Sequence, residues 1–195
     1  MLPRFLAALL LAVTFSWLAG AVRADVLSEE ILSGGAPRGR SPYFFGGSSP
    51  IPRTQVAYPG SEAPGTIIIN TGERRLYLVL GNGQALRYGI GVGRVGFTWA
   101  GVTRVSSKKE WPAWTPPSQM LRRRPDLPRF MKGGPENPLG ARAMYLSSTL
   151  YRIHGSNEPE TIGTAVSSGC FRLTNEDVID LYGRVRVGAK VIVLR

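Results

Sequence analysis

One cysteine and one histidine occur in the 195 residues. A lone cysteine forms no internal disulfide, so no disulfide framework supports this fold. One thiol and one imidazole supply two metal ligands where zinc takes three or four. Glu158, Glu160, Glu176 and Asp177 add carboxylates but at no ligand spacing, so no metal is expected. Acid is scarce: 13 Asp and Glu stand against 24 Lys and Arg, a formal charge of +11. That balance suits an acidic polymer surface. The basic residues are dispersed apart from Arg122-Arg123-Arg124, which argues against a nucleic-acid face. The 24 glycines form no phosphate-cradling loop or dinucleotide fingerprint, and no cofactor is expected.

The two scarce residues fall in one stretch, residues 151–172, as His154-Gly155 and Gly169-Cys170. A thiol needs a base to become a thiolate near neutral pH, and imidazole is the usual one. Taken singly, a lone cysteine is more often a small buried hydrophobe, and a lone histidine an ordinary hydrogen-bonded group. Their joint placement beside glycines points to cysteine acyl transfer. A redox thiol is disfavoured, because no second cysteine resolves a disulfide.

Residues 1–24 read as a signal peptide: Arg4, an apolar run over 5–21, and Val22-Arg23-Ala24 as the cleavage site. Retained, the same run would be an anchor and the chain's one membrane contact. The expected location is the periplasm or cell envelope. Residues 25–64, rich in Pro, Gly and Ser, read as a linker, and 65–195 as the catalytic domain.

Within that domain, strands are expected over 66–70, 75–80, 84–92 and 101–107, with a hairpin turn at Gly81-Asn82-Gly83. Residues 108–140, with Trp111, Trp114 and several prolines, read as a long loop insertion, serving as a lid or binding loop or plugged into the core by its tryptophans. Strands resume over 143–147 and 150–153, which puts His154 at a strand end. Residues 155–166 read as a loop. Thr174-Asn175 offers a helix N-cap, and Val178, Leu181, Tyr182 and Val185 follow on one apolar face. Residues 190–194 close the domain as a buried strand.

Ile153-His154-Gly155 and Ser167-Ser168-Gly169-Cys170-Phe171-Arg172 resemble the paired motifs of the L,D-transpeptidase catalytic domain family, the YkuD family. The resemblance covers roughly residues 65–195 and includes the NPLG-type turn at Asn137-Pro138-Leu139-Gly140. It implies a mostly β, sandwich-like domain with a short helix after the cysteine. It also implies Cys170 as nucleophile and His154 as general base and acid. Gly155, Ser156 and Gly169 are expected to orient the imidazole or line an oxyanion site. Ser168, Arg172, Trp111 and Trp114 are expected to meet substrate, though Arg172 would equally brace the loop. Two departures stand out: Ser168 replaces a histidine common in the family, and Phe97-Thr98-Trp99-Ala100-Gly101 lacks its proline.

The implied substrate is the peptidoglycan stem peptide, with release of D-alanine and formation of a cross-link. Alternative acceptors are water, making an L,D-carboxypeptidase, and a lysine of an envelope protein, making an anchoring transferase. A wall-binding module without catalysis is the remaining reading.

Overall fold

The structure, a computed structural model, describes residues 49–195. The signal peptide and most of the linker expected from sequence lie outside the described residues.

Eleven strands and two α-helices are present among the described residues. Nine strands form one mixed sheet in the spatial order 54–57, 84–89, 75–81, 67–70, 190–194, 101–110, 142–146, 152–154 and 171–172. Three antiparallel strands build its first half: β2 (Ile67–Asn70), β3 (Arg75–Gly81) and β4 (Gln84–Gly89). Asn82 and Gly83 join β3 to β4 with φ of 51° and 68°. Two positive φ values make the left-handed turn whose twist matches a hairpin, and an Asn-Gly pair accepts it at low cost. Ile67, Ile68 and Ile69 are all buried, because β2 lies between β3 and β11 (Lys190–Leu194) in the middle of the sheet.

The ten-residue β6 (Gly101–Glu110) links the two halves. Its first residues pair with β11, and its later ones with β7 (Arg142–Leu146). A register shift lies between Val105 and Ser107. Ile69, Leu76 and Tyr88 from one half share a single core with Met144, Ile153 and Phe171 from the other. Helix α2 (Asn175–Arg184) covers that core with Val178 and Leu181, and Val185 caps it at the C-terminus. It starts where its sequence signal lies: the Thr174 hydroxyl accepts from the Asp177 amide at 3.2 Å.

The structure departs from the sequence reading in four places. The first concerns the linker. Residues 54–57 form β1 (Thr54–Ala57), antiparallel to β4, so the domain begins before residue 65. An edge strand needs no apolar alternation, which is why its polar sequence reads as linker. Arg53 fastens it, lying 3.4 Å from Asp177 and 3.3 Å from Asp180 on α2.

Second, the expected strand over 84–92 breaks after Gly89. Val92–Gly93 forms β5, which runs parallel to β9 (Ala165–Ser167), so part of the expected 155–166 loop is strand. Gly91 exchanges two 2.9 Å backbone hydrogen bonds with Arg172, which draws the chain off the hairpin toward the cysteine segment. Third, the 108–140 insertion is not structureless. It holds α1 (Ser118–Arg123) and a Trp114–Met131 bridge. Fourth, β8 is shorter than its sequence signal, spanning Arg152–His154.

Candidate active site

The site is assembled by a parallel pair. β8 lies beside β10 (Phe171–Arg172) with Ile153 opposite Phe171 and His154 opposite Arg172. The Leu173 amide donates to the His154 carbonyl at 2.8 Å and extends the pairing. Side chains alternate along a strand, and paired residues share a face. Ile153 and Phe171 enter the core. Arg152, His154, Cys170 and Arg172 therefore belong to the opposite face, and all four line one cavity of about 300 Å³.

The imidazole is held in one orientation. His154 is 4% exposed, and Nδ1 lies 2.5 Å from the Gly155 carbonyl, a partner that accepts only. That contact sets the Nδ1–H tautomer and leaves the Nε2 lone pair available. Burial pushes the His154 pKa down to about 3, and the Arg172 charge adds to the effect. Burial raises the Cys170 thiol, against the opposing charge and hydrogen bonds of Arg152. Thiol and imidazole are both neutral at rest near pH 7.

The cysteine turn is held by Ser167. Its buried hydroxyl donates to the Cys170 carbonyl at 2.7 Å and accepts from the Gly169 amide at 3.1 Å. The Gly169 amide is thereby engaged with a side chain. Gly169 adopts φ +111°, and a Cβ there would overlap the Tyr151 ring, so glycine is required twice over. Tyr151 is fixed in turn by stacking on Trp99 at 5.3 Å between ring centroids.

The remaining expected residues divide. Ser168, Arg172 and Trp114 line the cavity. Arg172 also pairs with Glu158 at 2.8 Å. The Ser156 hydroxyl accepts from the Glu158 amide at 3.0 Å and so caps the following loop. Trp111 is not on the cavity wall. Its amide donates to the Ala141 carbonyl at the end of β6, and Gly133 packs against its backbone.

Sequence reasoning passed over several wall residues: Phe97, Met120 and Arg123 from loop and α1, and Tyr151 and Arg152 beside the histidine. Arg152 carried a usable signal, since it precedes His154 by two positions and strand alternation puts the two on one face.

Asn175 is a further residue that positions the wall. It is 3% exposed and its Oδ1 accepts from the Ala141 amide at 2.8 Å. A Cβ on Gly140 or Gly155 would collide with that oxygen. One side chain thus ties α2 to the Asn137–Gly140 turn, whose Pro138 and Leu139 form cavity wall. Asn175→Ala leaves a buried amide unpaired. Its expected cost is about 1–3 kcal/mol, read as a lower urea midpoint with unchanged slope; an unaltered midpoint contradicts this role.

Residues 64–193 match the family model of the L,D-transpeptidase catalytic domain, YkuD. The chain belongs to the L,D-transpeptidase catalytic domain family. It is similar to the probable L,D-transpeptidase ErfK/SrfK of Escherichia coli strain K12, with 38% identity over 149 residues, 72% of this chain and 47% of that protein. The chain spans about half the length of the curated relatives it matches first.

Among solved structures, an L,D-transpeptidase from Mycobacterium smegmatis aligns with TM-score 0.54 at 18% identity, over 67% of this chain and 58% of that one. At that identity the likeness is one of fold. A Brucella melitensis protein described as a probable carnitine operon oxidoreductase is 46% identical, with TM-score 0.51 over 75% of this chain and 96% of that one. The mostly β L,D-transpeptidase fold expected from the motifs is the fold observed.

Proposed function

We propose that this chain is an L,D-transpeptidase of the bacterial envelope, acting on peptidoglycan stem peptides through a thioester on Cys170. The observation that carries the reading is the common face of His154 and Cys170 in one cavity, in a chain of this family. His154 Nε2 takes the thiol proton as Sγ attacks the amide carbonyl between a diamino-acid L-centre and the terminal D-alanine. Because both groups rest neutral, proton transfer accompanies attack. The C–N bond breaks, the imidazolium returns its proton to the leaving nitrogen, and D-alanine departs.

A side-chain amine of a second stem then attacks the thioester. His154 accepts the amine proton and the thiol is restored. The basic surface suits the acidic wall polymer, and the leader read in residues 1–24 supports a location outside the cytoplasm.

The test uses the full chain with disaccharide tetrapeptide stems and mass spectrometry. The expected product is a dimer lacking one D-alanine. Conversion to tripeptide monomer alone would identify water as the acceptor, and a Cys170 adduct without dimer would direct the search to a protein lysine. The absence of both product and adduct would overturn the acyl-transfer reading in favour of wall binding.

A further inference from the structure

Arg152 is a cation in the catalytic cavity that the chemistry above does not use. Three guanidinium groups line the cavity, and they are not equivalent. Arg172 is already matched by Glu158 at 2.8 Å. Arg123 is exposed and lies over the Phe97 ring at 5.3 Å. Arg152 has no carboxylate partner among the described residues. Its guanidinium lies over the Tyr145 ring at 5.2 Å, and its Nε is buried with no hydrogen-bond partner. A buried N–H left unpaired is costly, and native structures rarely leave one without a use.

The register adds the second half of the argument. Phe171 stands opposite Ile153, so the preceding Cys170 falls beside Arg152. The guanidinium and backbone N–H of Arg152 both bear on the thiol. Any group joined closely to the carbon that Sγ attacks comes within reach of that cation.

We propose that Arg152 is a specificity-determining residue that receives the free carboxylate of the acyl donor's departing residue. The assignment rests on the acyl-transfer reading above. In the proposed donor, the terminal carboxylate is three bonds from the attacked carbonyl carbon. The two terminal nitrogens of a guanidinium form a flat two-pronged edge that carboxylates fit. Binding there would match the unpartnered guanidinium charge and hold the scissile carbonyl over Sγ. A donor whose terminus is amidated or extended would leave the cation unmatched, and such a site rejects it.

Because Cys170 is the chain's one cysteine, alkylation reports on this site without any peptidoglycan. Iodoacetate and iodoacetamide differ in their carboxylate. With the unaltered full chain, the iodoacetate rate is expected to saturate with concentration and to be competed by N-acetyl-D-alanine but not by its amide. The iodoacetamide rate stays linear.

Arg152→Gln is expected to lower the iodoacetate-to-iodoacetamide rate ratio by roughly tenfold, and Arg152→Lys to keep part of it. A residue that merely sustained the thiolate would slow both reagents alike, and an unchanged ratio overturns the proposal. If Arg152→Gln does not fold, the unaltered chain still decides: no saturation and no competition refute the carboxylate site. Normal alkylation behaviour with no D-alanine release from stems would instead refute the acyl-transfer reading alone.

Discussion

Cys170→Ala is expected to abolish D-alanine release, lowering the rate by roughly 10,000-fold or more. No second thiol can substitute, since Cys170 is the one cysteine in the chain. The change removes a single sulfur from a partly open position, so the loss belongs to chemistry and not to folding. Cys170→Ser should fall nearly as far. A hydroxyl is a far weaker nucleophile than a thiol and far less acidic, so the same imidazole draws its proton much less readily. The measurement is D-alanine release from tetrapeptide stems by each variant, with thermal melts alongside. Release within tenfold of the unaltered protein would sink the nucleophile assignment.

Acidification should destabilise the domain well above the carboxylate range. Burial lowers His154 from an ordinary value of 6.5 to about 3, so the folded protein resists a proton that the unfolded chain accepts. Between those values the unfolded state binds more protons, and stability falls as pH falls. The contribution is complete above pH 6.5 and is lost progressively toward pH 3. Its size is on the order of 5 kcal/mol, a large share of the 5–15 kcal/mol typical of a domain.

His154 is the one histidine, so the slope between pH 6.5 and the onset of carboxyl titration belongs to it. In the carboxylate range Asp177, raised by burial, acts in the opposite sense, and Asp180, whose burial is outweighed by the hydrogen bonds from Arg184 and Tyr88 that hold it down, acts in the same sense. The raised Cys170 thiol acts only on the alkaline side, where stability declines as pH rises through the cysteine range. Urea midpoints taken at steps from pH 7.5 to 4.5 give the slope. His154→Asn should abolish it whatever that variant's stability at pH 7. An equal slope in both proteins would mean that the imidazole is not buried as described.

The predictions draw on features that differ in how openly the sequence displays them. The hairpin over β3 and β4, the α2 cap at Thr174 and the buried β11 come from contiguous residues, and each lies close to where its pattern puts it. The histidine and cysteine stand out by scarcity alone. β1 was hidden, because an edge strand held by pairing to β4 and by Arg53 carries no apolar signature of its own. The two tryptophans of the insertion look alike in sequence, yet Trp114 faces the cavity and Trp111 does not.

Short-range chemistry was therefore written in the chain: which residues can turn, cap, alternate or attack. What the chain order does not contain is which distant groups become neighbours. Parallel pairing of β8 with β10 needs a crossover, and its register follows from how the intervening loop packs on β5 and Tyr151. That register puts Arg152 beside the thiol and closes the cavity around both. Its energy comes from burying Ile153 and Phe171 in a core drawn from the whole domain, so only the folded structure could decide it.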